Sequence, residues 1–501
     1  MAARRRPCPG RGRDGAAGAQ AQAPRRAARE RTAVTGRLDG AGGRLWCAAF
    51  ALLGLPLCLL LAVLVPLGEV ADESAHLLRA VALLDGQVVG HRETVTYSDG
   101  IARPAAGVTA DPVWEVLSRA RPLAPDKVPV PEPMPAPGHP AFLPLYTIGT
   151  YFPAFYIPGA LGIGLGQALG LTPAKAALLG RLANTAAYGA LGLAALALAR
   201  RGRTLLFGVL VVPMSLSLAA SFNQDALMIA ACALAAALLT GDDPWRRRLA
   251  AVVIALVVLA KPPYAAIAAM LLVPLPERFW VSRLFWCRVG IAVLAVLPGV
   301  AWIVFATIHV ATPVPRLAYE AGPLWSGPRP APFLGTDTGA QVRILLEHPG
   351  LILTLPAQGL LAFKRVLVLA TGAIGVFGWL DRLLPAIVYT TWIAALVGLA
   401  ILCGRSVRLR WIDLALLVTA ALLTAWLVAL SQYLSWTHVG EARIDGPQGR
   451  YFLPLLPMLV LALVPRPAAV LAPGLRWGLV IGTAVAALDL VVVPLATAWM
   501  F

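Results

Sequence analysis

Residues 45–80 read LWCAAFALLGLPLCLLLAVLVPL and then GEVADESAHLLRA, and the junction between the two halves decides what kind of protein this is. The first half, Leu45 to Leu67, is 23 residues without a charge. About 20 such residues cross a bilayer as a helix. The second half opens at once with Asp72, Glu73, His76 and Arg79. Upstream, residues 1–44 carry eleven arginines and three acids. An arginine-rich flank stays cytoplasmic, so the tetrad emerges on the opposite face. The tail has almost no large apolar residues and cannot bury a core, so disorder is expected there. It is too long for a signal-peptide n-region, and the apolar run after it exceeds an h-region, so a retained anchor is expected.

Composition places the rest of the chain. Of 501 residues, 59% are hydrophobic and 13% charged, and the mean hydropathy is +0.75. These values belong to multi-pass membrane proteins and exclude a soluble fold. The net charge of +17 is not a nucleic-acid signal, because the arginines sit in the tail and in short clusters between apolar runs. Cys8, Cys47, Cys58, Cys232, Cys287 and Cys403 avoid the large external loops, so neither a disulfide framework nor a cysteine metal site is expected.

Apolar runs predict eleven transmembrane helices, near 45–67, 174–199, 204–220, 224–240, 249–260, 264–275, 289–309, 384–403, 411–431, 451–465 and 477–498. With the tail inside, the cytoplasmic connections hold Arg200, Arg201 and Arg203, Arg246 to Arg248, the segment Glu277 to Arg288, Arg405 to Arg410, and Arg466 to Arg476. All are basic, as the positive-inside rule requires. The large first external loop, 68–173, instead holds ten acids and six bases, and a second large external segment spans 310–383. Two further apolar segments, 141–170 and 351–378, are read as interfacial or re-entrant helices, the first on account of Pro140, Pro144, Pro153 and Pro158. The expected fold is an all-α integral membrane bundle with juxtamembrane helices on its first loop.

Chemistry-bearing residues cluster in these external stretches. On a helix after Glu69, Asp72, His76 and Arg79 fall at i, i+4 and i+7 and share a face. An acid, an imidazole and a guanidinium there can converge on one ligand, or form a solvated juxtamembrane face. Asp225 lies in the polar island Ser221 to Asp225; either Asn223 or Asp225 caps the next span, or Asp225 serves the site. Arg181 and Asn184 lie within a span, where ionisable residues suggest function, although snorkelling would also accommodate the arginine. Lys261, between two short runs in Lys261-Pro262-Pro263-Tyr264, either faces a polar pocket or snorkels. Gln448, Arg450 and Tyr451 end an external loop, where anchoring is the simpler reading.

Taken together, Asp72-Glu73-Ser74-Ala75-His76, Gly180 to Asn184, Ser221 to Ala226, Lys261 to Tyr264, Gly375 to Asp381 and Gln448 to Tyr451 resemble the bacterial multi-pass membrane family catalogued as domain of unknown function 2142. The order and spacing fit from about residue 45 to 465. The Asp-Glu-x-x-His arrangement is also similar to the opening external loop of protein O-mannosyltransferases and other C-type glycosyltransferases. This chain departs from the mannosyltransferases at Ser74 and Leu77, and no soluble carbohydrate-binding domain follows its spans. The resemblance implies a C-type glycosyltransferase-like bundle using a polyprenyl-phosphate sugar. Asp72 or Glu73 takes the place of the first-loop base or metal ligand, and Asp225 that of the later external acid.

The function expected on these grounds is sugar transfer from a lipid-linked donor to a cell-envelope glycan or lipid on the outer face of the plasma membrane. Asp72 would take the acceptor proton, with Glu73 and His76 orienting it or holding a divalent ion (magnesium or manganese) through Asp72 and Glu73. Arg181, Lys261, Arg450 and then Arg79 are the candidates to stabilise the leaving phosphate, with Asn184, Asp225, Tyr264, Gln448 and Tyr451 completing a substrate site. The partners expected are the lipid-linked donor, the glycan acceptor and the bilayer, without nucleic acid. Oligomeric state is left open. A transporter or flippase of lipid-linked glycan, or a noncatalytic assembly subunit, is the alternative.

Overall fold

The computed structural model describes residues 42–97, 100–119, 138–315, 321–328 and 335–501; the basic tail expected at 1–44 lies outside these except for its last three residues. The chain is mostly helical. Among the described residues, five helices are long and apolar enough to cross a membrane: Gly42–Leu64, Arg283–His309, Ala386–Gly404, Trp411–Ser435 and Ala472–Met500. The Pro173–Leu198 helix has 26 residues but encloses buried Arg181 and Asn184.

The other expected spans take the form of shorter pieces, and proline is the main physical reason. Proline supplies no N–H and clashes with the preceding turn. At Pro213 the run 204–220 breaks into Arg203–Val211 and Pro213–Ala219. Pro262 and Pro263 open a 3-10 helix of 11 residues, Pro262–Leu272, and Pro454 and Pro457 lie within another of 14 residues, Gly449–Ala462. The second apolar segment left over by the threading folds as helices Leu351–Leu361 and Phe363–Gly375, and the first of these is bent by 109° from Thr338–Glu347.

An all-α architecture is too narrow a description of the first loop. Strands His91–Thr96, Ala102–Ala110 and Ala141–Pro144 form an antiparallel sheet in sequence order, with His91 opposite Gly107 and Gly107 opposite Pro144. The sheet shares a core with the Glu73–Leu84 helix through Leu77, Leu78, Val81, Val108 and Leu143. Gln87 fastens one to the other, donating to the Thr109 carbonyl at 2.5 Å and accepting from its amide at 2.9 Å. After the sheet, helix Ile157–Ala168 lies against the start of Pro173–Leu198. Gly162 permits the contact, since a Cβ there would stand 2.4 Å from the Leu179 carbonyl oxygen.

Helix Asp225–Leu239 runs through the buried core and separates two chemically different ends. At its last residues the arginines collect and take up carbonyls left open at helix ends. Arg247 donates to Leu271 and Val273, at 2.5 and 3.0 Å. Arg288 donates to Leu272 and Pro274, at 3.1 and 2.5 Å. Arg200 pairs with Asp243 at 2.7 Å. At its first residue the chain gathers the acids and cations described next.

Candidate functional site

The chain reverses sharply between the first long helix and Glu73–Leu84. Gly68 has φ +85°, and a Cβ there would meet the Ser118 carbonyl oxygen at 1.8 Å, so only glycine fits. Its amide donates to Glu73 Oε2 at 2.9 Å, and its carbonyl accepts from the Trp379 indole at 3.0 Å. Asp72, at the helix N-cap, has φ 66° and ψ 0° and makes no capping bond. This left-handed conformation is uncommon outside glycine, though aspartate tolerates it. Because of it, the consecutive carboxylates of Asp72 and Glu73 meet different partners.

Glu73 is fully buried and clasped by Arg181, with Nε on Oε1 at 2.8 Å and Nη2 on Oε2 at 2.6 Å. The Phe222 amide adds a bond at 3.3 Å. Arg181 also donates to the Ala62, Val65 and Pro66 carbonyls at 3.1, 2.6 and 3.0 Å, which closes the C-terminal end of the first long helix. A bidentate pair with its remaining donors satisfied is the form in which buried charge is tolerated.

Asp72 turns the other way, accepting from Arg450 Nη2. Arg450 is buried, donates to the Ala71 carbonyl at 3.2 Å, and places Nε 3.5 Å from Asp225 Oδ2. Asp225 Oδ1 accepts from Lys261 Nζ. Lys261 stands over the Tyr451 ring at 4.9 Å and the Tyr151 ring at 5.8 Å, a cation–π setting. Tyr264 donates its hydroxyl proton to the Tyr451 carbonyl at 2.7 Å. Two carboxylates and two cations from four distant segments thus form one chain of contacts at a single end of the molecule. Asp225 is 4% exposed and Asp72 36%, so only Asp72 meets solvent appreciably.

His76 shares a 2.7 Å hydrogen bond, through Nδ1, with the Tyr156 hydroxyl. Burial pushes its imidazole down to about 4, against the opposing pull of the Asp72 and Asp225 charges. Neutral His76 is therefore the form present near pH 7. Just before the helix, Asn223 Oδ1 accepts from the Asp225 amide at 2.9 Å, and the Asp225 side chain is left for Lys261.

The sequence-predicted residues separate into two groups. Asp72, Asp225, Lys261, Tyr264, Arg450 and Tyr451 come together, with His76 beside them. Glu73 and Arg181 pair with each other. Arg79 is buried and donates to the Gln87, Val88 and Tyr151 carbonyls, at 2.8, 2.5 and 3.3 Å. Asn184 donates to the Ser221 carbonyl at 2.9 Å. Among the described residues, Gln448 Oε1 has no partner. Asp72 and Glu73, held by different arginines, do not fit a shared divalent ion, and no group of three or more His, Cys, Asp or Glu among the described residues could hold a metal. Tyr151 and Tyr156 escaped the sequence reading. The only signal for them was aromatic density within the proline-punctuated stretch 141–170.

A family model described as "Predicted membrane protein (DUF2142)" matches residues 55–459, a range that includes every residue of this cluster. No curated protein matches the chain, and no solved structure does.

Proposed function

The chain belongs to the DUF2142 family of membrane proteins, and from that premise we propose that it is a membrane glycosyltransferase. It moves a sugar from a polyprenyl-phosphate donor to an envelope glycan or lipid on the outer face of the plasma membrane. The observation that carries this reading is the contact chain Asp72–Arg450–Asp225–Lys261, which sets a solvent-accessible carboxylate beside a buried arginine and a partly buried lysine. Its position, at the opposite end of the Asp225–Leu239 helix from the arginine clusters, supports an extracytoplasmic site and an eleven-span threading in which short helices line the bundle.

In the proposed reaction Asp72 takes the proton of the acceptor hydroxyl. The freed oxygen bonds to the anomeric carbon from the face opposite the phosphate, and the bond from that carbon to the phosphate oxygen breaks. The bonding pair leaves with polyprenyl phosphate, and the anomeric centre inverts. Arg450 and Lys261 meet the charge that develops on the leaving phosphate. Fixed cations in a water-poor site are effective there because they need no reorganisation. As the phosphate comes to share the Arg450 guanidinium in place, the hold on Asp72 weakens and Asp72 acts as base. Neutral His76, held by Tyr156, orients the acceptor. Glu73 and Arg181 position the Asp72 turn, and no step is assigned to a metal.

The test is sugar transfer by purified protein in lipid vesicles, with synthetic polyprenyl-phosphate sugars and envelope-glycan acceptors. Turnover that vanishes in Asp72→Asn, with folding intact, supports the transferase. Transbilayer movement of the lipid-linked sugar, without bond breaking, replaces it with transport.

A further inference from the structure

The 3-10 helix Pro262–Leu272 starts beside Lys261 and ends among the arginines at the other end of the molecule. There five consecutive carbonyls each accept from a guanidinium: Leu271 and Val273 from Arg247, Leu272 and Pro274 from Arg288, and Leu275 from Arg410. The three arginines lie near the starts of helices Pro244–Ala260, Arg283–His309 and Trp411–Ser435, whose N-terminal ends are themselves positive. Carbonyls satisfy hydrogen bonds here without cancelling charge. The acids facing this collar are Asp413, 3.2 Å from Arg410, and the exposed Asp242. Arg201 lies in the field of the same two acids, so four guanidiniums share two carboxylates. Burial and the neighbouring Arg288 both act against the charge of Arg247, bringing it down to about 10. Arg288 uses only Nη1 on the carbonyls, and its Nε is buried with no partner among the described residues. That unused edge is the fork with which a guanidinium takes two oxygens of one phosphate.

We infer that the collar of Arg247, Arg288 and Arg410 binds the phosphate of an anionic phospholipid in the leaflet at this end of the molecule, the cytoplasmic leaflet of the threading above. The site lies at the opposite end from Asp72 and does not depend on the transferase reading. Three tryptophans favour a lipid over a soluble phosphate. Trp286 precedes Arg288 by two residues, Trp411 follows Arg410 directly, and Trp280 lies on the short segment between Leu275 and the Arg283–His309 helix. All three are more than half exposed. Exposed tryptophans sit at headgroup level in a bilayer, which brings the guanidiniums to the depth of lipid phosphates. Charge then selects among lipids. A zwitterionic headgroup carries its own ammonium and supplies no net negative charge, whereas an anionic one offsets the excess on the arginines. A phosphate held here also ties down the far end of the segment that begins directly after Lys261, so occupancy steadies that segment.

The experiment is native mass spectrometry and thermal unfolding of the full chain in nonionic detergent, with phosphatidylglycerol, phosphatidylethanolamine or inorganic phosphate added. The expected result is one phosphatidylglycerol retained per chain with a raised melting temperature, and neither effect with the other two additives. Arg247→Gln and Arg288→Gln should each weaken retention roughly five-fold or more. Arg476→Gln removes an exposed charge from the Ala468–Met500 helix and should leave retention unchanged. Equal retention of phosphatidylethanolamine overturns the inference, because the collar then selects nothing beyond ordinary bilayer lipid. An equal loss in Arg476→Gln overturns it in favour of a diffuse basic surface, and stabilisation by inorganic phosphate alone overturns it in favour of a soluble-anion site. Where a collar variant does not fold, the comparison of the three additives on the native chain decides the matter.

Discussion

Asp72 and Glu73 are covalent neighbours whose surroundings differ in the two properties that govern acid–base behaviour, access to solvent and fixed charge. Glu73 has no exposed surface and is closed in by Arg181, while Asp72 is partly exposed and bound to Arg450, which also approaches a second acid. Asp72→Asn keeps a side chain that tolerates positive φ and is expected to lower sugar transfer roughly 100- to 10,000-fold, the usual range for a lost general base, with a smaller fall in melting temperature than Glu73→Gln, because Asp72 is partly exposed and Asp225 still faces Arg450. Glu73→Gln strips a buried pair of one charge, which costs about 3–5 kcal/mol, and should register as lost thermal stability before any kinetic effect. His76 adds a pH signature. Its pKa is about 4 in the folded chain and ~6.5 unfolded. The stabilisation this difference confers is complete above pH 6.5 and is lost as pH falls from there through 4. His76→Gln should flatten the fall in melting temperature across that window, and an unchanged slope would remove His76 from the account.

Broken helices are what allow these residues to meet. An unbroken helix through 249–275 would carry Lys261 into mid-span. The two prolines after it instead end Pro244–Ala260 and start the 3-10 segment, so Lys261 sits at a turn between the segments and reaches Asp225, the first residue of another helix. The pair fastens two helix ends together. Lys261→Met and Asp225→Asn should each destabilise by leaving the partner charge buried, and the double variant should be more stable than their sum. A double-mutant cycle in the melting free energy checks this, with a coupling of about 0.5–3 kcal/mol expected for groups in contact; additivity would mean that the pair is not formed. The strands of the first loop escaped the hydropathy reading because HRETVT and ARPAAGVTA lack the alternation of a half-buried sheet.

At the scale of the whole molecule, the two chemically distinct ends imply an orientation. In a chain freed of its native cysteines, Gly86→Cys should react with a membrane-impermeant maleimide on intact cells, and Glu277→Cys only after permeabilisation; the reverse pattern would turn the site toward the cytoplasm. The membrane class and the long apolar helices were determined by sequence, because hydropathy acts on each segment separately. The candidate residues were visible too, since polar islands in so apolar a chain are few. Sequence could not distinguish the acid that meets Arg450 from the acid sealed by Arg181. Spacing on a helix placed Asp72, His76 and Arg79 on one face, yet Arg79 serves loop carbonyls and Asp72 stands outside the helix in a left-handed turn. Tertiary structure alone decided those assignments, because a carboxylate's role follows from which charges and how much water surround it, and residues hundreds of positions away supply both.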